Sequence, residues 1–347
     1  MRKIAIVVGA RPQFIKHAPI ELALKNDFEL VSIHTGQHYD ERMSNVFFDQ
    51  LNINAPDYML QVGSGTHGKM TGLMLDKIEE VLMREKPDAT LVYGDTNSTL
   101  AGALAASKLN IPVIHIEAGL RSFNRTMPEE VNRVMTDHIS SLLFAPTQLA
   151  VSNLKNEGIS KGVYEVGDVM YDALLLAKAV IGDKFAETNS VLLTLHRPYN
   201  TDAPGRLLAI LKQLNALGRQ VIFPVHPRTK AMLQKEGSEW NDFNNIQFIE
   251  PVSYFDLVKL QLEAHCIITD SGGIQKEAYL LKKRCITLRS ETEWIETLEN
   301  GWNTLVFDDL SKLAKLVDQN PGSYNSGVYG DGKSATAMRD ILTQYLI

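Results

Sequence analysis

Short apolar runs recur along this chain of 347 residues, separated by longer stretches with helical spacing. In the first half they fall at residues 4–8, 30–34, 89–93, 113–116, 142–145 and 163–166. In the second half they fall at 191–195, 221–225, 246–249, 266–269, 285–288 and 304–307. Most are nearly continuous rather than alternating, the pattern of strands buried on both faces of a parallel sheet. Two such sets predict an α/β protein of two doubly wound, Rossmann-like domains with right-handed crossovers. The boundary is expected between residues 168 and 189, where a helix over 171–180 leads into a polar stretch. The expected domains are therefore 1–168 and 169–333, with a loop-rich segment over 320–333. A closing helix over 334–347 is expected to pack back on the first domain. Ligands of open parallel sheets collect at the carboxyl ends of the strands, so the two domains are expected to face a central cleft.

Composition narrows the function classes. The chain is 44% hydrophobic and 22% charged, which suffices for two packed cores. A formal net charge of −6 lacks the basic footprint of a nucleic-acid binder. The run at 4–8 is too short for a signal peptide, and no stretch reaches the roughly 18 apolar residues of a membrane helix. Cys266 and Cys285 lie inside expected strands and read as reduced core thiols of a cytoplasmic protein.

The chemistry sits at strand ends. Thr269-Asp270-Ser271-Gly272-Gly273-Ile274-Gln275-Lys276-Glu277 joins an apolar strand to a helix. Such a turn offers backbone N–H groups and a positive helix end to an anion. Its glycines permit a tight turn with no side chain between backbone and phosphate. Glu277, one turn on, can accept two hydrogen bonds from a sugar diol. In isolation Ser271-Gly272-Gly273 reads equally well as a serine-capped connection. A second device stands at the other end of the chain, Gly9-Ala10-Arg11-Pro12-Gln13-Phe14-Ile15-Lys16, where Arg11 and Lys16 suit an anion near a helix start. Neither a Gly-Lys-Ser/Thr phosphate loop nor G-x-G-x-x-G is present.

Three carboxylates gather at the same sheet edge. Asp95 follows the third run of the first set, Glu117 follows the fourth, and Glu129 begins Glu129-Glu130-Val131-Asn132-Arg133. Asp95 could be a helix cap and Glu129 a first-turn carboxylate favoured by the dipole. As a trio beside an anion site they supply an acid and a base, because close carboxylates push their pKa values apart. In the second half, His196 beside Arg197 suits a diphosphate, whereas His226 reads more readily as structural. His34 and His38 are four apart but lie at a strand end, so no metal site is expected.

Taken together, these segments resemble the non-hydrolysing UDP-N-acetylglucosamine 2-epimerases, bacterial enzymes of the glycosyltransferase-B fold. The resemblance is carried by Gly9-Ala10-Arg11-Pro12 with Lys16, Thr35-Gly36-Gln37-His38, Gly94-Asp95-Thr96 and His115-Ile116-Glu117-Ala118-Gly119-Leu120-Arg121. It continues through Pro128-Glu129-Glu130-Val131-Asn132-Arg133, His196-Arg197 and the Thr269–Gln275 segment with Glu277, in matching order over nearly the whole chain. It implies that Arg11, Lys16, His196, Arg197, Ser271, Gly272, Gly273 and Glu277 hold UDP. It implies that Asp95, Glu117 and Glu129 act on the sugar, with His196 also in the catalytic group. It implies no cofactor, no metal, a UDP-sugar substrate, a homodimer, and no nucleic-acid or membrane partner.

The sequence departs from the family pattern at three places. His196-Arg197-Pro198-Tyr199-Asn200 stands where His-Arg-Arg-Glu-Asn is usual, and Trp294 follows Thr292-Glu293 where Arg-Pro is usual. Gly63-Ser64-Gly65-Thr66-His67-Gly68 replaces a polar segment that in some relatives helps bind a second, activating substrate molecule. The Thr-Glu-Trp form is similar to that of relatives acting on UDP-2,3-diacetamido-glucuronic acid. A hydrolysing epimerase, a glycosyltransferase using the same UDP site and a non-catalytic sugar sensor are the competing readings.

Overall fold

The computed structural model describes residues 1–36, 54–63, 65–183, 185–225, 227–235 and 240–346, without the side chains of Arg11, Pro227, Arg228, Lys235 and Trp240. It divides into two units, Met1–Leu176 with Ser326–Ile347, and Ala177–Asn325. Unit 1 holds β1 (Arg2–Val8), β2 (Phe28–His34), β3 (Tyr58–Met59), β4 (Ala89–Tyr93), β5 (Val113–Ile116), β6 (Leu142–Ala145) and β7 (Val163–Glu165). They form a parallel sheet in the order β3-β2-β1-β4-β5-β6-β7. Unit 2 holds β8 (Val191–Thr194), β9 (Val221–Pro224), β10 (Ile246–Ile249), β11 (Cys266–Thr269), β12 (Arg284–Thr287) and β13 (Asn303–Leu305). Their parallel order is β10-β9-β8-β11-β12-β13. Each unit is a Rossmann-like α/β half. Strand order reverses between β1 and β4 in one unit and between β8 and β11 in the other, the positions where open sheets bind ligands.

Burial accounts for the continuous apolar runs. Ile4 through Val8 are all 0% exposed, as expected of a central strand covered on both faces. Val7, Ile33, Val92 and Val113 pack with Met74 and Ile78 of the helix His67–Glu85 and with Ala101 and Ala105 of the helix Asn97–Lys108. In unit 2, Leu193, Phe223, Ile268 and Ile286 form one core cluster, while Leu192, Ile267 and Cys285 join another with Ile274 and Ala278. The expected runs overshoot several strand ends. Leu195, Val225 and Leu288 lie beyond the last ladder positions yet stay buried, and Val225 and Leu288 each still donate one backbone bond, to Ile249 O and Thr269 O. The two-residue β3 was not expected; its half-buried Tyr58-Met59 carries no run. The C-terminal helix Ser334–Leu346 is docked within unit 1 by Asp172, whose carboxylate accepts the Ser334 and Ala335 N–H groups at 3.1 and 2.9 Å.

His34, at the end of β2, is fully buried and stacks on Phe14 with ring centroids 4.7 Å apart. Its Nδ1 accepts the Gly36 N–H at 2.8 Å. Burial holds its pKa down at about 4, against 6.5 for an ordinary histidine. The unfolded chain therefore takes up a proton near pH 6.5 that the folded chain refuses until about pH 4. The His34 contribution is complete above pH 6.5 and falls by up to about 3 kcal/mol as the pH drops through this window. Urea titrations of the wild type and His34→Gln between pH 7 and pH 4 measure it; parallel curves would remove His34 as the cause.

Candidate active site

In unit 1 the site is built on the turns after β1, β4 and β5. Gly9 leads from β1 into the helix Arg11–Leu24. It lacks a positive φ; what it needs is space, since a Cβ there would lie 2.0 Å from Ser98 Oγ and 2.3 Å from Thr35 Oγ1. Gln13, 2% exposed, accepts the Gly9 and Ala10 N–H groups and donates to Tyr93 O, Thr96 Oγ1 and Thr99 Oγ1 at 2.8–3.0 Å. One amide thus ties the β1 turn to the β4 turn. The helix Asn97–Lys108 is capped by Thr96, whose hydroxyl accepts from Thr99 N, so Asp95 is not the cap. The Asp95 carboxylate instead pairs with Arg133, and Asn132 donates to the Asp95 carbonyl at 2.9 Å.

Glu117 follows β5 in the left-handed region, φ 67°, unusual for a residue with a side chain. Such strain persists where the surroundings over-determine it, and functional sites are where it concentrates. Its buried carboxylate pairs with Lys16 and lies against Gly94, where a Cβ would come within 3.2 Å of Oε2. Below it, the fully buried His115 bridges Asp137 Oδ1 (Nδ1, 2.7 Å) and the Gly94 carbonyl (Nε2, 2.8 Å). Asp137 also accepts the Gly119 N–H at 3.1 Å and Arg121 Nη1 at 2.7 Å. Burial pushes the Asp137 carboxyl up, but His115 and Arg121 more than cancel this and hold it below the usual range. Arg121 is in turn held by Glu157 through Nε and Nη2 at 2.7 and 2.8 Å.

In unit 2 the turns after β8 and β11 meet through Asp270. This carboxylate is 0% exposed and accepts the His196 and Arg197 N–H groups at 3.0 and 3.1 Å. It also accepts from Asn200 Nδ2 at 3.1 Å and lies 2.8 Å from His196 Nδ1. With Nδ1 so engaged, the half-exposed imidazole keeps Nε2 for a ligand. Ser271 stands at the N-cap of the helix Gly272–Leu280, but its hydroxyl makes no capping bond. The glycines are not there for a turn: neither Gly272 nor Gly273 has positive φ. A Cβ on Gly272 would lie 2.5 Å from Glu293 Oε1 and 3.4 Å from Trp294 Nε1, so close approach is the constraint. Glu277 is 3% exposed and accepts from Gln261 Nε2 at 2.6 Å.

The expected residues thus fall into two groups, each described within its own unit. Lys16, Asp95 and Glu117 cluster on the β1, β4 and β5 turns, with Glu129 half-buried in the first turn of the helix Pro128–Ile139. Glu117 is matched by Lys16 and Asp95 by Arg133. His196, Arg197, Ser271 and Gly272 gather around the Asp270 and Glu293 carboxylates. The Arg11 side chain, Gln37, His38, Ser64 and His226 lie outside the described residues. Sequence reasoning missed Asp270, Arg133, His115 and Asp137 as supports. A buried aspartate one residue past an apolar strand was the available signal for Asp270. Among the described residues no cluster of His, Cys, Asp and Glu could hold a metal ion, and no helix is long and apolar enough to cross a membrane.

Residues 20–343 match the family described as UDP-N-acetylglucosamine 2-epimerase. The chain belongs to this family. It is 50% identical to a UDP-N-acetylglucosamine 2-epimerase homolog of Methanococcus maripaludis, over 98% of this chain and 99% of the relative. It is 44% identical to the UDP-2,3-diacetamido-2,3-dideoxy-D-glucuronate 2-epimerase of Pseudomonas aeruginosa, over 99% of each chain. Among solved structures, Methanocaldococcus jannaschii UDP-GlcNAc 2-epimerase in complex with UDP-GlcNAc and UDP superposes with a TM-score of 0.89. That epimerase is 44% identical, and the match covers 99% of both chains.

Proposed function

We propose that this chain, an isomerase by family, inverts C2 of UDP-N-acetylglucosamine by expelling UDP and adding it back. The observation that carries the proposal is Glu117, fixed in a strained backbone with its carboxylate on Lys16, beside the turn that bears Asp95. The C2 hydrogen of the sugar is adjacent to no carbonyl and is too weakly acidic for simple removal and return. A positioned base contributes about 10²–10⁴-fold, too little to overcome that barrier alone. Departure of UDP changes the balance. A carboxylate takes the C2 proton, the C1–O bond breaks with its electron pair going to the diphosphate, and a C1=C2 double bond forms. The products of this step are a 2-acetamidoglucal and UDP. UDP then re-adds at C1 as a proton returns to C2 from the opposite face, giving UDP-N-acetylmannosamine.

The reaction needs two roles. Asp95, Glu117 and Glu129 serve the sugar, which needs a proton donor on one face and an acceptor on the other. Arg11, Lys16, His196, Arg197 and the Ser271–Gly273 amides would stabilise the leaving diphosphate, and Glu277 the ribose. The idle Ser271 hydroxyl and the engaged Nδ1 of His196 support this assignment. Family resemblance further supports a cytoplasmic homodimer.

Incubation with UDP-N-acetylglucosamine in D₂O tests the proposal: deuterium is expected at C2 of intact UDP-sugar. Release of free N-acetylmannosamine would instead identify a hydrolysing enzyme, and no exchange with either this compound or its 2,3-diacetamido uronic acid analogue would sink the epimerase reading. A second substrate, UDP-2,3-diacetamido-glucuronic acid, is favoured by the Glu293-Trp294 pair seated against Gly272 and by the likeness to the Pseudomonas relative. The same isotope experiment with that compound distinguishes the two by rate.

A further inference from the structure

The opposite edge of the unit 2 sheet holds an arginine that the epimerase chemistry does not use. Arg284 opens β12, at the amino end of the strand, away from the carboxyl-end turns of His196 and Ser271. It is 5% exposed. Its Nη2 donates to Thr304 Oγ1 at 2.9 Å and its Nε reaches only 3.5 Å from Leu316 O. Nη1 is buried and has no hydrogen-bond partner. No described carboxylate pairs with this guanidinium, whereas Arg2, Arg121, Arg133, Arg219 and Arg289 all have one. Burial pushes its pKa down. An arginine remains charged even so, and a buried charge is costly unless it is matched by an anion.

The matching space is present. Arg284 lines a cavity of about 260 Å³ with Lys282, Lys283, His265 and the indole of Trp302. One carboxylate, Glu187, reaches it, engaged with Lys283 Nζ at 2.8 Å and itself largely exposed at the rim. Lys282, exposed, holds its ammonium 5.1 Å from the Tyr324 ring centroid. Two lysines and an arginine fork against a single rim carboxylate leave a net positive charge of two, before any charge on His265. That charge matches a phosphate dianion, and the guanidinium fork suits phosphate oxygens.

We propose that this cavity is an oxyanion site for a phosphate group, with Arg284 as its buried anchor and Lys282 and Lys283 as outer ligands. The phosphate is either inorganic or the monoester of a small metabolite. The site lies at the end of the sheet opposite the diphosphate turns, so it is filled independently of UDP.

The test uses the full chain with UDP present at saturation, which occupies the turns after β8 and β11. Inorganic phosphate is titrated against chloride at matched ionic strength, by calorimetry and thermal denaturation. The expected result is saturable binding and a melting temperature raised by about 2–4 °C at tenfold excess over Kd. Arg284→Met is expected to weaken phosphate binding tenfold or more, and the exposed Lys282→Ala several-fold without loss of fold. Glycerol phosphate binding more tightly than inorganic phosphate would identify a monoester as the natural occupant, and the reverse order the free ion. Absence of any phosphate-specific effect in the wild type would overturn the proposal, as would an undiminished effect in a folded Lys282→Ala and Arg284→Met pair. Failure of the epimerase reading itself leaves this result unchanged, since the readout is binding rather than turnover.

Discussion

Asp95→Asn is expected to slow C2 deuterium incorporation by about 10²–10⁴-fold, the range a positioned acid or base contributes, while UDP binds nearly as before. The geometry makes this variant a clean one. Asparagine keeps the side-chain shape, and the Asn132 bond goes to the residue 95 carbonyl, which is untouched. Arg133 is not stranded by the loss, because Nη1 stays on Glu130 at 2.8 Å. Glu130 itself is fixed by the Ser122 and Phe123 N–H groups. The Asp95 side chain is 30% exposed, so little stability rides on it. Glu117→Gln is a poorer probe, since it would strip Lys16 of its partner in a largely buried position. A folded Asp95→Asn enzyme with full exchange would take Asp95 out of the site.

Asp137→Ala is expected to cost about 3–5 kcal/mol, the usual loss when one member of a buried charge network is removed. His115 Nδ1 and the Gly119 N–H would lose their acceptor at once, and Arg121 Nη1 would be left with the Leu120 carbonyl alone. Glu157 still holds Arg121 but cannot replace the contact to His115. Urea unfolding monitored on unit 1 measures the loss, and a change below about 1 kcal/mol would refute the network's role. The pH dependence has a definite sign. The folded Asp137 carboxyl titrates below its unfolded value of 3.8, so its contribution is complete above that pH. It is lost as the pH falls from 3.8 through the lower folded value, below the His34 window between pH 6.5 and 4. Asp137→Ala should therefore leave the loss between pH 6.5 and 4 in place and remove only the steeper acid fall below it.

Much of the architecture was legible because both sheets are parallel and central, which writes each strand as a bare apolar run. Ile4 through Val8 and Cys266 through Thr269 needed no other signal. Strand ends were less legible: Leu195, Val225 and Leu288 stay buried past the last ladder positions, and apolar character alone does not mark where the ladder ends. In the site, residue types at strand ends pointed to Lys16, Asp95, Glu117, His196 and Ser271. Their reasons for being there were not always the ones residue type suggests. Glycine at 9 and 272 reads as backbone freedom, yet both positions answer to neighbours from distant segments, Ser98 in one case and Glu293 in the other. The left-handed backbone of Glu117 leaves no trace in sequence, because glutamate is not a residue type that favours positive φ. Asp270 was visible inside its motif, but its partners at 196, 197 and 200 lie more than seventy residues away or close to it.

The two thiols of unit 2 have a practical meaning of their own. Cys266 and Cys285 stand on the adjacent strands β11 and β12, and burial pushes both up, Cys285 to about 12. Only a thiolate attacks an alkylating reagent, so the closed sheet is inert to one at neutral pH. Every labelled molecule must first have parted β11 from its neighbours, at the strand that delivers Asp270 and Ser271 to the site. Alkylation rate is thus a built-in clock for the opening of that half of the protein, readable without substrate.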